Sequence, residues 1–253
     1  MASGSNNLSV KYHDIFDYKL TKAEAIRWQY KSQKTVVSGI KNKRRLQREK
    51  YSQKKLIIAK KAAKLISKIP SVLFVGITGS LAMMNAGKNS DIDLMIITKK
   101  NTLWITRLFV YCLIITSRQS LRRPQIASER DRLCLNIWLD ETDLIWVKKD
   151  RNIYTAHEIA QIIPLVNKQK TYEMFLRCNR WILDYWPNSV KISSKQYKVY
   201  SNQKSSLLTI IEPIAYKLQR LYMSSKLTKE VVTPTRALFH PRNNSKYIDR
   251  KLK

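Results

Sequence analysis

Cysteine and histidine are scarce in this chain. Among its 253 residues there are three of each. Cys112, Cys134 and Cys178 are odd in number, widely spaced and embedded in apolar sequence, a pattern typical of buried free thiols in a reducing compartment. No Cys-x-x-Cys pair and no paired histidines are present from which a zinc site could begin. The composition therefore argues against zinc-binding proteins and against catalysis that depends on histidine.

Long hydrophobic runs are also missing. No stretch reaches the length of about 20 apolar residues that spans a bilayer. The longest candidate, Leu103–Thr116, is too short and is interrupted by Arg107. The N-terminus shows no basic-then-apolar signal pattern. These absences predict a cytoplasmic protein with no membrane partner.

Acidic residues are few relative to basic ones. The chain has 18 Asp and Glu against 48 Lys and Arg, a net charge of +30. The charge is uneven: +14 over residues 1–70, +3 over 71–150 and +13 over 151–253. Such a field attracts polyanions, most commonly nucleic acid. Lysine can also serve only as a solubilising residue, so the charge leaves both interpretations open.

The candidate functional residues are concentrated between positions 72 and 98. An apolar run at 72–77 ends at Gly79-Ser80, and a second apolar run carries Asp91 and Asp93. Alternate residues of a strand share a face, so both carboxylates point the same way. Like charges this close repel each other unless a cation lies between them, most simply Mg²⁺. The pair is therefore a predicted metal site.

The Gly79-Ser80 turn leads into a segment compatible with a short helix. Free backbone N–H groups and a hydroxyl at a helix start can hold phosphate. A P-loop is excluded, because Ala82 stands where its first glycine is needed and Asn89 replaces the metal-binding Ser or Thr. A phosphate-binding turn beside paired carboxylates indicates a metal-dependent phosphoryl or nucleotidyl transferase.

Each motif also has a purely structural interpretation. Asp-Ile-Asp can keep an edge strand soluble, and Gly-Ser can be an ordinary turn. The functional interpretation requires a hollow between the turn and the two carboxylates, whereas the structural one does not.

Gly79-Ser80, ten intervening residues and Asp91-Ile92-Asp93 together resemble the signature of the nucleotidyltransferase superfamily of the DNA polymerase beta type. The resemblance implies transfer of a nucleoside monophosphate from a nucleoside triphosphate to an acceptor hydroxyl or phosphate. It implies that Asp91 and Asp93 hold Mg²⁺ or Mn²⁺, and that Gly79 and Ser80 hold the β- and γ-phosphates. The acceptor can be an RNA end, a small molecule or a protein, and the basic flanks favour RNA.

One position departs from this family. A third carboxylate is expected on a neighbouring strand, where this chain has Leu135-Asn136-Ile137. Asparagine can coordinate a metal or orient a hydroxyl, but it is not a general base. Alternation predicts Asp140 on the same face as Asn136, so both are candidate catalytic residues, whereas Asp131 has the opposite parity.

The missing acid leaves two further interpretations open. The chain can be a catalytically decayed family member that uses its charged flanks to bind nucleic acid. It can also be a nucleotidyltransferase of the toxin–antitoxin type that modifies tRNA or a partner protein, which is an argument from family analogy.

The patterns predict an α/β (α+β) fold. A small, mixed, largely antiparallel sheet is flanked by helices and followed by a helical C-terminal part. The predicted regions are a basic helical region packing on the core (1–70), the nucleotidyltransferase core (71–150), a helical region (151–223) and a basic, mobile tail (224–253).

Local signals place several elements. Thr21 and Glu24 predict a capped helix, and Pro70 predicts the end of a long helix. The basic first half of that long helix is either a solvated face or a phosphate-contacting arm. Residues 132–139 alternate as a strand, and 144–147 are predicted to return as the second strand of a hairpin. Helical patterns follow at 155–163, 171–186 and 207–222.

Overall fold

The computed structural model describes residues 7–117, 119–122, 129–192, 207–225, 230–239 and 244–252. The strands are β1 (Val72–Ile77), β2 (Ile92–Thr98), β3 (Leu133–Asp140), β4 (Ile163–Asn167), β5 (Val231–Val232) and β6 (Arg236–Leu238). The helices are α1 (Leu8–Asp14), α2 (Lys22–Arg27), α3 (Lys43–Ile66), α4 (Gly79–Ala82), α5 (Leu103–Thr116), α6 (Ile153–Ala160), α7 (Thr171–Cys178), α8 (Leu207–Ser224) and α9 (Ser245–Leu252).

The six strands form one sheet in the order β4-β1-β2-β3-β6-β5. β2 and β3 run parallel, and the other neighbouring pairs are antiparallel. The chain between β2 and β3 contains α5, which provides the crossover that a parallel pair requires. The predicted mixed, largely antiparallel sheet flanked by helices is confirmed.

Apolar cores lie on both faces of the sheet, and successive residues of β2 point into different ones. Leu94 belongs to the core that contains Ala59 of α3 and Trp104 of α5. Met95 belongs to the core that contains residues of α1, α6 and α7. Each large side chain buried in this way contributes roughly 1.5–3 kcal/mol. The same alternation turns Asp93 towards the face of α1 and α6.

Two basic side chains of α3, Arg45 in its first half and Lys55 near its midpoint, are structural. Arg45 is buried and donates to Glu24 Oε1 at 2.5 Å, which holds α2 against α3. Lys55 is buried and donates to the Ser90 carbonyl at 2.8 Å and to Asp131 Oδ1 at 2.6 Å. Neither predicted role for this region, solvated face or phosphate-contacting arm, applies to these two residues. Lys55 instead holds the loop that leads into β2.

The predicted helices are present with some changes at their ends. The capping box of Thr21 and Glu24 is confirmed at the start of α2. The helix predicted from position 155 begins earlier, because Asn152 caps the start of α6 and Thr155 lies at the third helical position. The helix predicted over 171–186 ends with α7, and a 3-10 turn follows it.

The predicted hairpin is wrong. Residues 144–147 form no strand, and β6 pairs with β3 where a returning strand was expected. Arg236 of β6 holds the 144–147 segment alongside by donating to Asp143 Oδ1 and to the Ile145 carbonyl, both at 2.7 Å. β4 was also not predicted, because it contains Pro164. An edge strand tolerates proline, which lacks the N–H that a central strand needs.

The region 224–253 was predicted as a mobile tail. In its described parts it instead contributes β5 and β6 to the sheet and forms α9. α9 packs on α1 and α6, and its own Ile248 side chain is buried. A short strand or helix with few apolar residues is hard to predict from its own sequence when the segments on which it packs are distant in the chain.

A β-bulge interrupts β3 at Asn136, where the pairing with β2 shifts by one residue. Before the bulge, Leu135 faces the core on the side of α3 and α5. Beyond it, Trp138 faces that core, and Leu139 faces the opposite one. The predicted alternation is therefore correct up to Asn136 and reversed afterwards. The reversal also moves Asp140 to the face opposite Asn136.

The three cysteines are free, but the prediction that they are buried is wrong. Cys112 and Cys178 are exposed and Cys134 is partly exposed. Across the described ranges, none of the helices combines the length and the hydrophobicity needed to cross a bilayer.

Candidate functional site

The chain turns sharply at Gly79, directly against Asp93. The φ angle of Gly79 is +62°, which glycine adopts without strain. The Asp93 carbonyl accepts from the Thr78 N–H at 3.0 Å, which joins the end of β1 to β2. A Cβ atom at position 79 would lie 2.5 Å from Asp93 Oδ2. Only glycine therefore allows this contact between the turn and the carboxylate.

Replacement of Gly79 by alanine tests this contact. Gly79→Ala should lower the free energy of unfolding by about 1–3 kcal/mol, because the positive φ and the clash with Asp93 act together. Thermal unfolding measures the loss. Gly87→Ala is the matched control, since a Cβ there meets nothing within 4 Å, and it should stay within about 0.5 kcal/mol of wild type. Equal stability of the two variants would contradict the described turn.

Asp91 and Asp93 form a group with Cys134. One potential ligand atom from each of the three lies within 4.8 Å of the others. Cys134 is the β3 partner of Asp93 in the parallel pairing. Within the described part of the chain, these three residues form the one group of His, Cys, Asp or Glu side chains close enough together to hold a metal ion. Carboxylate oxygens and a thiol are donors for divalent cations.

Asn136 also reaches this group. It is buried, and its Nδ2 donates to Asp93 Oδ1 at 2.6 Å. Asn136 therefore lies beside the acid pair, where the family resemblance led us to expect a carboxylate. Ordinary strand alternation places Asn136 on the same face as Cys134, since the register with β2 shifts only after Leu135.

Asp140 is not part of the group. Its buried carboxylate accepts from the Asn101 N–H at 2.7 Å, from the Thr142 N–H at 2.9 Å and from the Thr142 hydroxyl at 2.6 Å. These contacts tie the end of β3 to the turn before α5. The prediction that Asp140 shares a face with the acid pair is wrong, because the bulge reverses the alternation before position 140.

A basic side chain lies at the acid pair. Arg122 Nη1 donates to Asp91 Oδ2 at 3.0 Å, and Nη2 lies 2.7 Å from Glu129 Oε1. Nη1 is also 3.7 Å from Cys134 Sγ. Arg122 thus neutralises part of the negative charge at the site.

Asp93 opens into a cleft of about 610 Å³, a volume within the usual range for small-molecule sites. Gly79, Ser80 and Asp93 line one side of it. The remaining lining residues come from α1 and the segment after it, α4 and its following loop, α6, the region of Arg122 and the start of α9: Tyr12, His13, Phe16, Tyr18, Met83, Asn85, Arg122, Glu129, Tyr154, His157, Glu158, Gln161 and Asn244. The hollow that the functional interpretation requires is therefore present between the turn and Asp93, whereas Asp91 does not line it.

Another carboxylate enters the cleft from α6. Glu158 Oε1 accepts from Gln161 Nε2 at 2.8 Å, and the same Nε2 is 3.4 Å from the Gly79 carbonyl. Burial raises the pKa of Glu158 to about 7. The helical pattern of the sequence gives no sign of this role for Glu158, because it does not reveal which turn of α6 faces a strand more than 60 positions earlier.

The acids at the site perturb one another. Burial, Asp91 and Glu158 together raise the pKa of Asp93 to about 8, with burial the largest cause. A carboxyl group with this pKa keeps its proton at neutral pH when no cation is bound. A divalent cation beside Asp91 and Asp93 would favour the ionised form of both. The electrostatics of the site therefore favour a positively charged ligand.

Two histidines meet in the wall of the cleft. His13 Nε2 and His157 Nε2 are 3.2 Å apart, and His13 Nδ1 is 2.8 Å from the Ser9 carbonyl. Since a carbonyl only accepts, we infer that Nδ1 of His13 carries a proton and that His157 donates to its Nε2. Burial lowers the pKa of His13 to about 4 and that of His157 well below its ordinary value. The pair therefore joins α1 to α6 as two neutral rings.

Comparisons of this chain with protein-family models, with curated proteins and with solved structures found no match. The geometry of the site and its sequence motif are therefore the basis for inferring a function.

Proposed function

We propose that this protein is a metal-dependent nucleotidyltransferase. It would move a nucleoside monophosphate from a nucleoside triphosphate to an acceptor hydroxyl or phosphate and release pyrophosphate. The observation that carries the proposal is the contact of the Gly79 turn with Asp93 at the edge of a cleft large enough for a nucleotide. An edge-strand solubility device would need neither the contact nor the cleft.

Gly79 and Ser80 would hold the β- and γ-phosphates. Both residues line the cleft, and the Ser80 side chain is exposed there. Arg122 also lines the cleft, and its planar guanidinium group would contact the triphosphate.

Asp91 and Asp93 would hold Mg²⁺ or Mn²⁺, since these cations prefer oxygen ligands to the neighbouring Cys134 thiol, whose pKa is raised by burial. The two carboxyl groups fit such an ion, because oxygens from both lie close enough together to coordinate it. When bound, the ion would neutralise charge that develops on the bridging and leaving oxygens.

Glu158 would supply the acid–base function that Asn136 lacks. It would accept the proton of an acceptor hydroxyl as that oxygen forms its bond to the α-phosphorus. The bond from the α-phosphorus to the bridging oxygen would break, and pyrophosphate would leave with that oxygen. A pKa of about 7 suits a base that works near neutral pH. Gln161 would orient Glu158 through the hydrogen bond between them.

An RNA end is the favoured acceptor. Residues 1–70 and 151–253 carry net charges of +14 and +13, which attract a polyanion. Seven basic residues of α3 are exposed: Lys43, Arg44, Lys50, Lys54, Lys60, Lys61 and Lys64. We also propose a cytoplasmic location, with which three free cysteines are compatible.

Label transfer tests the function directly. The full chain is incubated with Mg²⁺ or Mn²⁺ and each of the four α-labelled ribonucleoside triphosphates, in separate reactions with RNA, metabolite and protein pools. We expect transfer of label to one pool, with equimolar pyrophosphate released. The absence of transfer in every combination would reject the proposed activity.

A second candidate function is nucleic-acid binding without catalysis. Two observations favour it: Asn136 stands in place of an acid, and Arg122 already pairs with Asp91. RNA binding that persists unchanged in Asp91→Ala and Asp93→Ala, without transfer by wild type, would support this function and contradict the first.

A further inference from the structure

α8 presents an apolar surface away from the core. Its inner side is held on α5, where Glu212 accepts from the Trp104 and Ile105 N–H groups at 2.6 and 2.9 Å. Gln219 donates to the Trp104 carbonyl at 2.7 Å. On the outer side, five large aliphatic side chains are between 43% and 73% exposed. These five, which we call the α8 stripe, are Ile210, Ile211, Ile214, Leu218 and Leu221.

The α8 stripe has the spacing of a coiled-coil seam. Ile211, Ile214, Leu218 and Leu221 follow one another at intervals of three, four and three residues. This is the a/d pattern by which one helix receives the side chains of another. Contiguous apolar surface of this kind marks interaction sites more often than scattered apolar residues do. The shape of the α8 stripe therefore suits a second helix lying along it.

The charges around the α8 stripe are of one sign. Lys217 and Arg220 are the exposed charged residues of α8. Glu212, its one acidic residue, is buried against α5. α5 itself carries Arg107 and no acid. Charge complementarity therefore favours a partner with acidic residues beside its apolar seam.

The same charges disfavour an occupant from this chain. A second copy would bring its own Lys217 and Arg220 to the interface, and each chain carries a net charge of +30. The segments that flank α8 in the sequence, 193–206 and 226–229, contain five lysines and no acidic residue. Like charges brought together at an interface oppose association.

We propose that the α8 stripe is a docking surface for an amphipathic α-helix of another protein, apolar at its a and d positions and acidic beside them. The proposal does not depend on the transferase activity. It concerns the outer face of α8, whereas the cleft is lined by residues of α1, α4, α6 and the start of α9.

Designed peptides of four heptads test the proposal with the full chain. The first has Leu at a and d with Glu at e and g, the second has the same seam with Lys at e and g, and the third has Ser in the seam with Glu at e and g. Fluorescence anisotropy of labelled peptide measures the affinity. We expect the first peptide to bind at least about tenfold more tightly than the other two, and its binding to weaken as salt is added.

Matched variants locate the binding surface. Ile214→Ser with Leu218→Ser should weaken the first peptide by at least about tenfold. Ile57→Ser on α3 is the control, because Ile57 and Ile214 are equally exposed, at 57% and 58%. Lys217→Glu with Arg220→Glu should shift the preference towards the Lys-flanked peptide. Circular dichroism checks that each variant keeps its helical content.

Several results would overturn the proposal. One is a concentration-dependent dimer by light scattering that Ile214→Ser with Leu218→Ser dissolves, which would make a second copy the occupant. Another is binding to anionic phospholipid vesicles through the α8 stripe with no peptide binding, which would make the partner a lipid surface. Equal binding of all three peptides, or binding of none, would also overturn it.

Discussion

Asp93→Asn is expected to abolish nucleotidyl transfer and, at the same time, to stabilise the metal-free protein at pH 8. The loss of activity follows because the variant removes one of the two carboxylates proposed to hold the metal. We expect transfer to fall by about 10³-fold or more, similar to the loss of a preorganised electrostatic group in other enzymes. The label-transfer assay measures this effect.

The gain in stability follows from the pKa of Asp93. The folded protein holds this proton up to a pH of about 8, whereas the unfolded chain releases it near pH 4. Between these values the unfolded state binds fewer protons than the folded state, so the free energy of unfolding of wild type falls as pH rises. The amide that Asp93→Asn introduces does not titrate, so the variant should escape this fall. At pH 8 we expect a gain of about 1–3 kcal/mol, seen as roughly 2–10 °C in Tm.

The effect of added metal on Tm provides a further test of the same variant. Mg²⁺ or Mn²⁺ should raise the Tm of wild type at pH 8, because an ion that binds only the folded state stabilises it. The Tm of Asp93→Asn should respond much less. Two results would contradict the electrostatics described for this site. One is a wild-type Tm that does not change when metal is added. The other is a difference in stability between Asp93→Asn and wild type that is no larger at pH 8 than at pH 4.

Asp140→Asn is the matched control, and it should show the opposite pattern. Asp140 accepts three hydrogen bonds far from the acid pair, and asparagine offers a single acceptor oxygen. We therefore expect a loss of about 1–3 kcal/mol in stability with transfer activity largely retained. Loss of transfer in a folded Asp140→Asn variant would restore Asp140 as a catalytic candidate.

Glu158→Gln is expected to lower kcat for transfer by about 10²- to 10⁴-fold, the usual contribution of a general base. The substitution keeps the shape of the side chain and removes its ability to accept a proton. In wild type, transfer should fall as pH drops below about 7, because Glu158 becomes protonated. This limb of the pH profile should disappear in the residual activity of the variant, while KM for the triphosphate changes little.

Glu173→Gln on α7 controls for the substitution itself. Glu173 pairs with Asn167 and does not line the cleft, so its loss should leave both kcat and the pH profile unchanged. If Glu158→Gln transfers label at the wild-type rate while Asp93→Asn does not, the metal site stands and the assignment of Glu158 as the base is wrong.

Local sequence signals predicted the centre of the site well. Alternation placed Asp91 and Asp93 on one face, and Gly79-Ser80 indicated a turn. Both inferences need only the periodicity of a strand and the conformational freedom of glycine. The capping box at Thr21 is likewise a local signal, and it is present as predicted.

Predictions that crossed a longer distance were less successful. A bulge is a property of two paired strands, so nothing in β3 alone revealed the shift at Asn136 that removes Asp140 from the site. The mobile tail was inferred from local composition. The structure instead pairs β6 of this region with β3, about 100 positions earlier in the chain.

The amino-acid sequence by itself determined the strand–turn–strand unit and the two carboxylates on it, because each depends on neighbours within about 20 positions. Only the tertiary structure decided which other groups surround that unit. Glu158 reaches the cleft, and Arg45 and Lys55 are buried, because distant segments pack against one another. Packing between distant segments depends on the whole set of side chains at an interface, and no local pattern records it.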